Sequence, residues 1–305
     1  MKSKFKDWKC RCSSLGHILT NRPSFNKHDQ KLLDAFEKEK KTGINTNGNK
    51  TKWTDSKETK LQTLLTKKNA PDSLPDGAKT HLDNIFRGVF WGRNRLLYNK
   101  YLDKGNLGEE DSLDLLSHVD GFFYSKNTEK FKNKWIIGTP DNTEGKIRDI
   151  KTNWDMESFE KAELTSLYTW QCKAYVWLLL GKLKNYKAEL VYCLVNNPYH
   201  QLMQEKTGLY YKLGTPEEHE NRWVDAISQL ERNMIFDVSK WKEAYPGYDF
   251  YNTELNFSIP PHLRIKRFDI TLNTQDIKFM KSRVTMAKKY LIEKEQEVLK
   301  KIKNK

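Results

Sequence analysis

No stretch of the sequence approaches the roughly eighteen consecutive apolar residues that a membrane-spanning helix needs, and mean hydropathy is −0.83. A membrane protein is not expected. The opening residues, M-K-S-K-F-K-D-W-K, lack the apolar core of a secretory signal. Cysteine is scarce, with four at positions 10, 12, 172 and 193. Neither the C-x-C nor the two distant singletons has the paired spacing of a zinc site, and reduced, structural thiols are expected. A cytoplasmic protein follows as the expectation. Acidic residues are also in deficit, 40 against 54 Lys and Arg, for a net charge of +14. That balance favours a polyanionic partner, nucleic acid before a membrane surface, with plain solubility as the bland alternative. What is abundant is aromatic: nine Trp, fourteen Tyr and fourteen Phe in 305 residues, ample for one large core.

One stretch organises the rest: W-I-I-G-T-P-D-N-T-E-G-K-I-R-D-I-K-T-N-W, residues 135–154. It reads as a β-hairpin, with an apolar run entering at 135–137, turn chemistry at 142–145 and an alternating strand leaving at 146–152. Alternation puts Asp149 and Lys151 on one face and sends Ile147 and Ile150 to opposite ones. Asp141, ending the first strand, can meet the Asp149 face. Two carboxylates and a lysine then converge, in outline a hydrolytic metal site. A hard cation such as Mg²⁺ or Mn²⁺ takes oxygen ligands, here Asp141, Asp149 and the Ile150 backbone carbonyl. Lys151 would orient the attacking water or help to deprotonate it, its pKa drawn down beside a metal. The competing reading is a solvated hairpin with a surface Asp–Lys pair.

Neighbouring segments favour the site. Gln171 and Tyr175 form an i,i+4 pair on a helical run, Y-T-W-Q-C-K-A-Y-V-W-L-L-L. Upstream, K-G-N-L-G-E-E-D-S-L-D-L-L puts Glu109 on an amphipathic helix, with Lys104 and Gly105 resetting the chain before it. In this order (helix glutamate, G-T-P-D, D-I-K, Q-x-x-x-Y) the chain resembles the PD-(D/E)xK nuclease superfamily. The branch it resembles is the RecB-like one, with the lambda-exonuclease type and the YqaJ-type viral recombination exonucleases. The resemblance covers residues 9–20 and 98–197. It implies an α/β fold with an αβββαβ restriction-endonuclease-like core, a mixed central sheet flanked by helices, and helical N- and C-terminal extensions.

The resemblance also implies roles. Glu109, selected over Glu110 by G-x-x-x-E spacing from Gly105, would be the third carboxylate beside the metal ligands Asp141 and Asp149. Lys151 would be the catalytic lysine, and Gln171 and Tyr175 would contact DNA or steady the site. C-R-C-S-S is similar to the R-x-x-x-T-A-S opening of lambda-type enzymes, which implies that Arg11 and Ser14 receive the 5′-phosphate of a DNA end. An ordinary N-cap from Ser13 or Ser14 for a helix starting at Leu15 is the alternative. Thr139 stands where those enzymes have a serine before P-D, with the same implied role. Some RecB-like exonucleases hold an iron–sulfur cluster through one early and three late cysteines. With no cysteine after Cys193, none is expected here.

The implied activity is metal-dependent 5′→3′ resection of double-stranded DNA ends to 5′-phosphate nucleotides. Its setting would be phage recombination, in a prokaryotic cell or a phage-infected host. The implied partners are a single-strand annealing protein and further copies of the chain in a trimeric ring. A structure-specific or nicking endonuclease of the same fold is the first alternative. A non-catalytic DNA-binding scaffold is the second, although it would have no need of converging carboxylates.

Residues 1–305 read as a single nuclease domain, with a basic, partly flexible insertion at 21–76, a catalytic core at 98–197 and a helical extension at 198–305. Helices are expected at 28–41, 57–68, 78–102, 162–181, 217–240 and 274–303. Strands are expected within 121–134 and at 187–197 and 264–271. In the last helix Ile277, Met280, Val284, Ala287, Leu291 and Val298 follow 3,4 spacing and would pack on the core. Arg87, Arg93 and Arg95 interleave with Phe86, Phe90, Trp91 and Tyr98, a mix suited to gripping a strand or to a half-buried face.

Overall fold

A computed structural model of the chain describes residues 3–19, 27–69, 73–95, 99–181, 187–213, 220–251 and 257–304. Tyr98, together with 217–219 of the expected 217–240 helix, lies outside them. Helix α1 spans Cys12–Leu19, so Ser13 and Ser14 fall inside its first turn instead of capping a helix from Leu15. Helices α2 (Lys27–Thr42) and α3 (Asp55–Asn69) pack on each other through Leu33, Leu61 and Leu64. Between them the polar run closes as a turn, with Asn45 Oδ1 accepting from the Asn47 and Asn49 N–H groups. Helix α4 (Asp76–Trp91) stops well before residue 102, because Gly92 turns left-handed at φ 65° and returns its N–H to Gly88. Helix α5 (Lys100–Leu107) starts afresh under an Asn99 cap, and α6 (Glu109–Asp120) follows across Gly108. The reset therefore falls at Gly108, while Lys104 and Gly105 stay helical.

Downstream lie α7 (Met156–Glu160), α8 (Ser166–Leu178), α9 (Tyr199–Leu213), α10 (Glu220–Met234), α11 (Val238–Ala244) and α12 (Thr274–Lys303). The helix expected over 217–240 is two. Ile235 and Phe236 turn into the interior, and Asp237 caps α11 by accepting from the Lys240 N–H. Helix α12 opens with an Asn273–Asp276 capping box and buries Met280, Val284, Ala287 and Leu291, with Ile277 and Val298 half-buried beside them.

The architecture is mixed α/β, its strands divided between two three-stranded mixed sheets. The first orders β1 (Cys10–Arg11), β3 (Ile136–Gly138) and β2 (Phe131–Lys132), with β1 parallel and β2 antiparallel to the central β3. The second runs β4 (Ile147–Thr152), β5 (Lys187–Cys193), β6 (Ile265–Thr271), with β4 parallel and β6 antiparallel to β5. A parallel pair needs a long crossover, which α7 and α8 supply. The expected hairpin is paired only at its tip, where Asn142 bridges Arg148. Pro140 has no N–H to extend that ladder, and β4 takes β5 as its partner.

Alternation along β4 builds two interiors. Ile147 joins Leu190, Phe86, Val176 and Val284 in the main core, packed among α1, α4, α8 and α12. Ile150 joins Val191, Cys193, Leu113 and Leu116 under α6. The strand thus carries Asp149 and Lys151 on the face that looks toward α8. Among the described residues no helix is long and apolar enough to cross a membrane.

Candidate active site

The odd-numbered face of β4 and one face of α8 form the site. Asp149 is 1% exposed. Its Oδ1 accepts from Gln171 Nε2 at 2.8 Å, and its Oδ2 lies 2.8 Å from Lys151 Nζ. Gln171 Nε2 also donates to the Tyr175 hydroxyl at 3.1 Å, so the i,i+4 pair acts as one brace on the carboxylate. Asp141 stands at the strand edge, where its Oδ2 accepts the Ile150 N–H at 2.6 Å. Because the N–H and C=O of a strand residue point to the same edge, the Ile150 carbonyl also faces the Asp141 side, away from β5. The Asp141 backbone is pinned in turn: its carbonyl accepts the Asn127 N–H at 2.8 Å, and Pro140 O accepts from Asn127 Nδ2 at 2.8 Å.

The charges are coupled. Burial raises the Asp141 carboxyl, the Asp149 charge adds to it and Lys151 opposes, leaving it at about 7. Asp149 is raised by its own burial, against the pull of Lys151. For Lys151 burial works against the ammonium, but Asp149 and Asp141 outweigh it and the pKa rises. Without a metal the lysine is therefore a fixed cation, the opposite direction to the lowering expected from the sequence. In that state it offers hydrogen-bond donors and a positive charge beside Asp149. The Tyr175 phenol is pushed up by burial and by Asp149, so its hydroxyl stays protonated. All four cysteines are free and buried. Cys12 and Cys172 are held as neutral thiols, mainly by desolvation.

This donor set fits a hard divalent cation. Asp149 raises the Asp141 carboxyl, and a single ammonium beside the two carboxylates leaves the site short of positive charge. Asp149 Oδ2, despite the nearby Lys151, has no well-directed hydrogen bond. The oxygen atoms of Asp141, Asp149 and the Ile150 carbonyl are the ligand type that Mg²⁺ and Mn²⁺ take. Among the described residues no group of three or more His, Cys, Asp or Glu side chains stands together as a ready metal cluster. Glu109 explains why. It opens α6, and its Oε2 is 2.7 Å from Lys126 Nζ, although its charge still raises both Asp141 and Asp149. Glu110 is exposed.

The remaining candidates lie on the first sheet. Arg11 is exposed on β1, opposite Ile137, Thr139 is exposed just past β3, and Ser14 is half-buried in α1. Gly138 joins these parts. A Cβ there would come within 2.7 Å of Cys12 Sγ and 2.7 Å of Tyr175 Cε1, so the start of α1 is held directly against the Q-x-x-x-Y helix. Two site residues escaped sequence reasoning. Tyr168 receives Lys151 Nζ over its ring at 5.1 Å, and its signal was its place three residues before Gln171 on the same face. Asn127 left no signal, because it acts through backbone geometry.

No protein-family model matches the sequence, and no curated protein matches it. Among solved structures, a phage-related exonuclease from Haemophilus somnus 129PT superposes with a TM-score of 0.56 at 21% identity, covering 96% of this chain and 97% of that one. At that identity the likeness is one of fold. An alkaline exonuclease from Laribacter hongkongensis aligns more loosely, with a TM-score of 0.45 at 10% identity over 75% of this chain and 87% of that one. Its complex with dAMP aligns at a TM-score of 0.41.

Proposed function

We propose that this protein is a metal-dependent deoxyribonuclease of the PD-(D/E)xK class, an exonuclease that resects double-stranded DNA ends 5′→3′. The observation that carries the reading is the convergence of Asp141, Asp149 and Lys151 under the Gln171–Tyr175 brace. A fold held in common with a phage-related exonuclease supports it, as does the net charge of +14.

Asp141, Asp149 and the Ile150 carbonyl would hold Mg²⁺ or Mn²⁺, with Glu109 joining if it exchanges Lys126 for the ion. The chemistry such a cation supplies is a lowered pKa for water and neutralisation of charge on the phosphate. The chain does the rest. Gln171 fixes the rotation of the Asp149 carboxylate, and the Ile150 N–H fixes Asp141. Lys151 sets an ammonium where a phosphate oxygen gains charge. Water oxygen bonds to phosphorus and releases a proton to solvent, the P–O3′ bond breaks, and the leaving 3′-oxygen takes up a proton from solvent, giving a 5′-phosphate and a 3′-hydroxyl. Arg11, Ser14 and Thr139 are the residues of this reading that would meet the terminal 5′-phosphate. A recombination setting, a single-strand annealing partner and a trimeric ring belong to the same reading.

The test is a digest of linear duplex DNA labelled separately at each 5′ and 3′ end, with Mg²⁺, Mn²⁺ or EDTA and a closed circle as control. Metal-dependent release of 5′-terminal nucleotides, with the circle intact, is the expected result. Cutting of the circle would move the protein to the endonucleases. Binding without any cutting would leave a DNA-binding scaffold.

A further inference from the structure

Phe122 and Phe123 are 54% and 78% exposed, adjacent in the chain and outside every core cluster, with the Phe122 ring packed on Tyr124 at 4.9 Å. Their exposure is enforced. Gly121 ends α6 in the left-handed conformation at φ 63°, and the Phe122 N–H returns to Ser117 O at 3.1 Å. The Tyr124 N–H donates to Ser117 Oγ at 3.0 Å. Both chain neighbours of Phe123 are thus tied to one residue. Tyr124 itself is buried, its ring 4.2 Å from the Arg148 guanidinium carbon. The backbone holds Phe123 outward while its neighbour anchors inward.

The loop then runs straight to the site. Ser125 Oγ donates to Glu144 at 2.6 Å, Lys126 pairs with Glu109, and the Asn127 N–H reaches the Asp141 carbonyl. Phe123 is four residues before Asn127, which bounds its distance from that anchor to roughly 14 Å of extended chain. Beyond it Lys130, Lys132 and Lys134 are exposed, alternating with the buried Phe131 and half-buried Asn133. An outward-set aromatic edge, exposed lysines further along the same segment and the Asp141 anchor between them in the chain are the parts of a single-strand binding path. Aromatic rings take any base by stacking, and lysines follow the phosphates.

We propose that Phe123, with Phe122 beside it, is a stacking platform for an unpaired base of the DNA strand that enters the Asp141–Asp149 site. The proposal rests on the nuclease reading above but is tested apart from it. The full-length protein is titrated in EDTA, where nothing is cut, with a short single-stranded oligonucleotide carrying 2-aminopurine, and with a closed circular duplex. Wild type should change the probe's fluorescence as the base stacks. Phe123→Ala and the Phe122→Ala/Phe123→Ala pair should weaken oligonucleotide binding by about tenfold or more and lose the signal. Phe123→Trp should keep both, and the circle should bind all variants alike.

Alanine variants within about twofold of wild type would overturn the platform, as would equal losses on oligonucleotide and circle. If the wild type cuts no DNA yet the probe signal depends on Phe123, the platform stands and the catalytic reading falls. If cutting is robust and the signal is indifferent to Phe123, the reverse holds.

Discussion

A carboxylate as buried as Asp149 keeps its charge only while a cation stands beside it, and Lys151 is the one the chain supplies. Lys151→Ala should therefore do two things. DNA cleavage should fall by at least about a hundredfold, since an ammonium aimed at developing charge is lost. The metal-free protein should also melt lower at pH 8 than wild type, with the gap closing toward pH 5 as Asp149 takes a proton. An assay within a few-fold of wild type would remove Lys151 from the mechanism. Asp141 gives a separate test. Its folded pKa is raised to about 7, so between roughly pH 4 and 7 the folded state binds more protons than the unfolded one. Stability without metal should fall as pH rises through that window. Asp141→Asn should flatten the slope and raise the metal-free melting temperature at pH 8, yet abolish the stabilisation that Mg²⁺ gives wild type. Calorimetry at pH 5 and pH 8, with and without Mg²⁺, reads both; equal slopes in the two proteins would sink the assignment.

At the scale of elements, the joint of β1, β3, α1 and α8 is closed at Gly138, where no side chain fits between Cys12 and Tyr175. Gly138→Ala should push Tyr175 off Gln171 and so loosen Asp149 indirectly. The expected outcome is a destabilisation of about 1–3 kcal/mol and a fall in turnover that excess Mg²⁺ only partly restores. Unchanged turnover would show that the brace does not depend on this contact. Much of the site beside this joint was legible, because D-I-K alternates on a strand and Gln171 and Tyr175 repeat on a helix. Long periodic elements such as α12 and β5 were legible for the same reason. What stayed hidden depends on contacts distant in sequence. An arginine–aromatic pattern continues past Gly92, so it masks the left-handed stop of α4. Ile235 and Phe236 look helical until the core claims them. The hairpin signal was sound at its tip, but the choice of β5 over β3 as the partner of β4 is made by packing under α6 and α8. Lys126 on Glu109, Asn127 on Asp141 and the outward set of Phe123 are loop geometry, which carries no periodicity to read.

For the whole molecule, the question is whether a net charge of +14 serves binding or solubility alone. Counterion release separates the two, because each phosphate neutralised steepens the fall of log affinity with log salt by about 0.9 on duplex DNA. The site itself is acidic, so affinity must come from the lysines around it, among them Lys130, Lys132 and Lys134 on the approach to Asp141. Binding measured in EDTA should weaken by about a thousandfold between roughly 50 and 200 mM salt if six or so phosphates are engaged. The slope should be the same for linear and circular duplex, since phosphate contacts do not read ends, whereas cutting should distinguish them. Replacing Lys130, Lys132 and Lys134 together by Gln should reduce the slope by up to about three phosphate equivalents while leaving the melting temperature nearly unchanged, as expected of exposed charges. A flat salt dependence would mean that the positive charge is not aimed at nucleic acid. Asp141, Asp149 and Lys151 would then be a hydrolytic centre without a DNA path leading to it, and the substrate would have to be sought among smaller phosphate esters.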